Sequence, residues 1–108
     1  MKKDDESYYA FKDINDKPII LDFTGCRYLG EIHKILKERF GLPEYYGENW
    51  DALWDCLKDL FHKRGEWSVE IYGFQTLPKD IQEYCETMLE VFEDVHKRTP
   101  NITFHMIS

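Results

Sequence analysis

Long apolar runs, glycine-rich loops and paired cysteines are all missing from this chain, and each absence closes off a class of function. No apolar stretch approaches the ~20 residues that a membrane-spanning helix requires. The opening "MKKDDESYYAFKD" follows two lysines at once with acids, so it offers no apolar core for a secretory signal. Cys26, Cys56 and Cys85 are odd in number, widely spaced and without a CxxC pair, which suits a reducing compartment better than a disulfide scaffold. A cytoplasmic protein is the expectation. Neither an EF-hand pattern, nor HExxH, nor a P-loop lysine occurs, and there are no internal repeats or low-complexity tracts.

Basic residues are also in the minority, with 14 Lys and Arg against 21 Asp and Glu, a formal net charge of −7. An acidic field repels nucleic-acid phosphates and anionic headgroups, and it attracts and steers a basic protein. The expected partner is therefore basic, with no direct nucleic-acid or membrane contact. What the chain does have is core material. At 108 residues and 43% hydrophobic it is sized for one domain, which buries about two-thirds of its unfolded surface.

Residues 1 to 17 are polar, interrupted and end in "DINDKP", which reads as an adaptable N-terminal extension before a single domain over 18–108. "PIILDF", Pro18 to Phe23, is a nearly continuous apolar run, the pattern of a strand buried on both faces. From Leu29 the period changes. Leu29, Ile32, Ile35, Leu36 and Phe40 mark one face of a helix that Gly41 and Pro43 stop.

After the loop "LPEYYGE", Asn49 is placed to cap a second helix. Trp50, Leu53, Trp54 and Leu57 supply its apolar face, and Asp51, Asp55 and Asp59 line another at i, i+4 and i+8. "WSVEIYG" alternates as a strand. A long helical pattern opens at Thr76 to Pro78, buries Ile81, Tyr84, Cys85, Met88, Phe92 and Val95, and ends before Pro100, and "NITFHMI" suits a last strand. Strands separated by helices imply crossovers, so the predicted fold class is α/β, three parallel strands packed with three to four helices.

The segment "LPEYYGENWDALWDCL" concentrates four aromatic rings and five carboxylate or carboxamide groups in sixteen positions. Like charges at i and i+4 cost ~0.2–0.5 kcal/mol per pair on an isolated helix, so the acidic stripe is either a solvated face or a surface held for a partner. Aromatic residues beside it favour the second, because interface hot spots enrich Trp and Tyr. Two other chemistries compete. Glu44, Glu48, Asp51 and Asp55 offer oxygen ligands to a hard cation, which would suit a metal-dependent hydrolase. Cys56 with a histidine could form a nucleophile and base, although Cys56 borders the apolar face and His33, His62, His96 and His105 share no motif.

That same segment closely resembles the barstar family, intracellular inhibitors of secreted barnase-type ribonucleases, with Trp50 as the clear departure. "EIHKILKERFG" and "MLEVFEDVHKRTPNITFHMIS" resemble the family more weakly. The resemblance implies a parallel three-stranded sheet with helices, an inhibitor without catalytic residues or cofactor, and a ribonuclease partner. It also implies that Asp55 enters the enzyme's phosphate-binding Arg, Lys and His groups, that Asp51 engages the basic rim, and that Asp94 adds a further charge. Tyr45, Tyr46, Gly47, Asn49 and Trp54 would complete the contact. Lys58 in place of threonine, Leu60 in place of an aromatic, Asp94 in place of glutamate and the additional Asp59 depart from the family pattern. A regulatory protein of this fold, acting on another basic toxin or partner, is the alternative.

Overall fold

The computed structural model describes residues 11, 12, 14, 16–62 and 64–107. The first helix, α1 (Leu29–Phe40), starts where the Glu31 carboxylate accepts from the backbone N–H groups of Arg27 (2.7 Å) and Tyr28 (3.1 Å), donors that a helix start leaves without intrahelical partners. It stops at Gly41, whose φ of 63° is the left-handed cap conformation. Glycine is needed there twice over, since a Cβ at Gly41 would sit 2.6 Å from the Lys12 carbonyl oxygen. Lys12 N–H in turn donates to Gly41 O at 2.8 Å, and Phe11 and Ile14 pack against the core.

The remaining elements are β1 (Ile19–Asp22), α2 (Trp50–Leu60), β2 (Trp67–Tyr72), a 3-10 turn (Phe74–Thr76), α3 (Lys79–Arg98) and β3 (Ile102–Met106). The sheet order is β1-β2-β3 with both pairings parallel, Ile19 beside Val69 and Trp67 beside Ile102. Two helices carry the chain from β1 to β2 and one from β2 to β3, as parallel pairing demands. The α/β architecture of three parallel strands and three helices is thus the one that the periodicity predicts.

One expectation is corrected. β1 is not buried on both faces: Ile19 and Leu21 are buried, Ile20 is half-buried and Asp22 is exposed. β2 alternates in the same way, with Trp67, Val69 and Ile71 inside and Ser68, Glu70 and Tyr72 half-buried. The helices cover one face of the sheet, so its other face tolerates polar side chains. In the core the helices meet through rings, with Phe40 of α1 edge-on to Phe61 (6.0 Å) and to Phe92 of α3 (6.2 Å).

Helices α2 and α3 run side by side in the same direction. The Trp50 indole N–H, at the start of α2, donates to Tyr84 O (3.2 Å), and Arg98 Nε, at the end of α3, donates to Lys58 O (3.2 Å). Asp94 lies one helical turn before Arg98, which places it on the α2 side of α3.

Candidate partner-binding surface

Local chemistry shapes the 42–49 loop first. Pro43 starts a turn in which Tyr46 N–H donates to Pro43 O (3.0 Å). Glu48 takes a φ of 54°, and the Asn49 side chain closes the turn by donating to Gly47 O (3.2 Å) while accepting from Ala52 N–H (2.8 Å). Asn49 is therefore the N-cap of α2, as its position predicts. Glu44 is held at the other end by Lys37 (2.9 Å) and Lys12 (3.3 Å), which pull its carboxyl below the usual range.

Beneath the loop lies an aromatic stack. Tyr46 is 6% exposed, and its hydroxyl shares a 2.7 Å hydrogen bond with His33 Nδ1 of α1. The His33 ring lies 4.6 Å from Trp50, and Trp50 lies 5.0 Å from Tyr84 of α3. The start of α2 is thereby clamped between α1 and α3. Tyr46, predicted as a contact residue, thus turns its side chain into the core, whereas Tyr45 stays 42% exposed. Sequence reasoning weighed His33 only as one of four possible bases for Cys56 and missed its place beneath the loop. The available signal was its i+4 spacing from Leu29 and i−3 spacing from Leu36, which puts it on the edge of the apolar stripe.

Burial holds the His33 imidazole below its ordinary pKa of 6.5, against an upward pull from Glu48, and its Nε2 has no hydrogen-bond partner among the described residues. The fold therefore favours the neutral ring. The stability that this contributes is fully present above pH 6.5 and is lost as pH falls through the lowered folded value. Thermal melts from about pH 7.5 to about pH 5, above the range where ordinary carboxylates titrate, should show the melting temperature falling. His33→Phe should flatten that slope, and an unchanged slope would assign the loss to other groups.

On the exposed side of α2, Asp51, Asp55 and Asp59 stand in line, each solvent-exposed, and Trp54 is half-buried against the core. The three carboxylates are not equivalent. Lys58 Nζ lies 3.3 Å from Asp55 Oδ1, and Arg98 lies 3.5 Å from Asp59 Oδ1, whereas Asp51 and the exposed Asp94 have no ion-pair partner among the described residues. Lys58 thus does not point away from the stripe.

The rival chemistries find little support. Glu44 and Asp55 are engaged by lysines, and among the described residues no cluster of three or more His, Cys, Asp or Glu side chains could hold a metal ion. Cys56 is buried, and desolvation first, then Asp55, raises its thiol pKa away from the thiolate that nucleophilic chemistry needs. Among the described residues no helix is long and apolar enough to cross a membrane.

Comparison with known proteins adds two findings. The family model described as Barstar (barnase inhibitor) matches residues 17–107. A Bacillus subtilis (strain 168) protein named "Putative ribonuclease inhibitor YrdF" is 28% identical over 81 residues, which cover 75% of this chain and 87% of that protein.

Proposed function

Because the chain belongs to the barstar family, we propose that it inhibits a basic, barnase-type ribonuclease by covering the enzyme's active site with the 42–49 loop and the exposed face of α2. The observation that carries this reading is the pairing of an exposed Asp51–Asp55 stripe with a loop pinned from below by Tyr46, His33 and Trp50. A carboxylate surface that is already ordered loses little conformational entropy on docking.

The mechanism follows from what a nuclease site must be. It stabilises negative charge on phosphate with fixed cations, so carboxylates in phosphate positions occupy it without being cleaved. In this reading Asp55 enters the cation cluster, Asp51 meets its rim and Asp94 extends the contact from α3. Tyr45 and Trp54 supply apolar area, Gly47 and Asn49 shape the turn, and Tyr46 acts from beneath by holding the loop. The complex is stoichiometric, with no catalysis by the inhibitor, and forms in the cytoplasm of the cell that makes both proteins. Complementary fields speed association, so the apparent inhibition constant should rise with added salt.

The test is inhibition of a purified barnase-type ribonuclease at equimolar concentration, read as RNA cleavage. Full inhibition supports the proposal, and undiminished cleavage rejects this target class. Lys58 favours a variant of the reading in which the target differs locally from barnase, because its ammonium competes with the enzyme for Asp55. Lys58→Thr should tighten binding by at most about five-fold, given that exposed ion pairs contribute ~0.2–1 kcal/mol. Weaker binding in that variant, measured by titration calorimetry, would instead mean that the target places an acid opposite Lys58.

A further inference from the structure

The helical pattern of α3 puts Tyr84 in the buried stripe with Ile81, Cys85 and Met88, yet the structure leaves it 38% exposed. Its place on the helix explains the difference. Tyr84, Val91 and Arg98 are seven residues apart, close to two full turns each, so they share one flank of α3. That flank faces α2, because Arg98 donates to Lys58 O and Tyr84 O accepts from the Trp50 indole.

Only one side of the Tyr84 ring is supported. Trp50 lies 5.0 Å away with its ring tilted by 39°, and it fixes the backbone of the same residue through the 3.2 Å bond to the carbonyl. Trp50 is also the residue that departs from the family pattern, so this support is particular to this chain. Among the described residues no other ring lies against Tyr84 and its hydroxyl has no hydrogen-bond partner. The ring is nevertheless close to the loop. The Tyr46 hydroxyl has its pKa raised first by desolvation and then by Cys56, Glu48 and Tyr84. Asp80, one turn before Tyr84 on the same face, is exposed and has no ion-pair partner among the described residues.

We propose that Tyr84 is a further contact residue for the ribonuclease, its exposed ring face receiving an arginine or lysine of the enzyme's basic rim beside the Asp80 carboxylate. This rests on the inhibitor reading above and extends its surface from the start of α2 onto the first half of α3. A cation is attracted to the electron-rich face of a tyrosine ring, and a nuclease that binds phosphate supplies cations around its site. Tyrosine brings a large contact area with only two side-chain torsions to immobilise. Here Trp50 already holds the ring. Tyr84 would therefore set specificity within the target class, favouring enzymes that carry a cation at that point of the rim.

Inhibition constants against a purified barnase-type ribonuclease, taken well below the melting temperatures of the full-length wild type, Tyr84→Leu and Tyr84→Phe, test this. Leucine keeps apolar cover over Trp50 and suits a helix, but it has no ring face. Tyr84→Leu should melt close to the wild type while its inhibition constant rises about 5- to 30-fold, the equivalent of ~1–2 kcal/mol for a desolvated cation–π contact. Tyr84→Phe keeps the ring and should stay within about two-fold of the wild type. A Tyr84→Leu protein that inhibits like the wild type overturns this proposal alone and leaves Tyr84 as cover for Trp50. Equal losses in the two variants overturn the ring-face contact and transfer the role to the hydroxyl. If the wild type leaves RNA cleavage undiminished, the inhibitor reading for this target class falls and the proposal falls with it.

Discussion

Replacing Asp55 by alanine should weaken inhibition of a barnase-type ribonuclease by about 30- to 4000-fold. That range converts the roughly 2–5 kcal/mol lost when one partner of a buried, hydrogen-bonded charge pair is truncated, for which the barnase–barstar pair is itself a measured case. Two effects combine. The complex loses the attraction, and the enzyme's cations are left desolvated without a counter-charge. The fold should hardly notice, because the Asp55 side chain is 67% exposed and its pairing with Lys58 is a surface one. Changes at such sites usually stay within about 0.5 kcal/mol. Inhibition constants and thermal melts of the same preparation therefore separate binding from folding. Wild-type inhibition by Asp55→Ala would remove this residue from the active-site plug and shift attention to Asp51, the stripe carboxylate without an internal cation among the described residues.

The second large effect concerns folding. Trp50→Ala should cost about 3–5 kcal/mol of stability, the usual range for truncating a large aromatic core residue. Trp50 is 8% exposed, lies between His33 of α1 and Tyr84 of α3, and bonds the latter's carbonyl. Removing it opens a cavity where three helices meet. Trp50→Phe keeps a ring but loses the indole donor, so it should cost only about 1–2 kcal/mol. Denaturant midpoints of the two variants give the comparison. Equal midpoints for Trp50→Ala and wild type would mean that the indole does not pack as described. The start of α2 carries Asp51, so Trp50→Ala should also loosen the acidic surface and lower inhibition at temperatures where the protein remains folded.

Much of this structure is legible in the residues. Leu29, Ile32, Leu36 and Phe40 repeat at helical spacing and Gly41 follows them, so α1 begins and ends where the pattern says. Asn49 caps α2, and the alternation of Trp67, Val69 and Ile71 returns as β2. Other features were not legible. "PIILDF" reads as doubly buried because all its apolar residues are adjacent, yet which faces are covered depends on where the helices pack. Tyr46 reads as a contact residue beside Tyr45, but only the arrival of His33 from α1 turns its ring inward.

Spacing and composition alone determined the elements, the parallel α/β order and the acidic stripe, because hydrophobic period and charge are local properties of the chain. Tertiary structure decided which carboxylates keep their charge unshared. Arg98 reaches Asp59 across 39 positions of sequence, and a distance of that kind is set by how α2 and α3 pack, which no local pattern encodes.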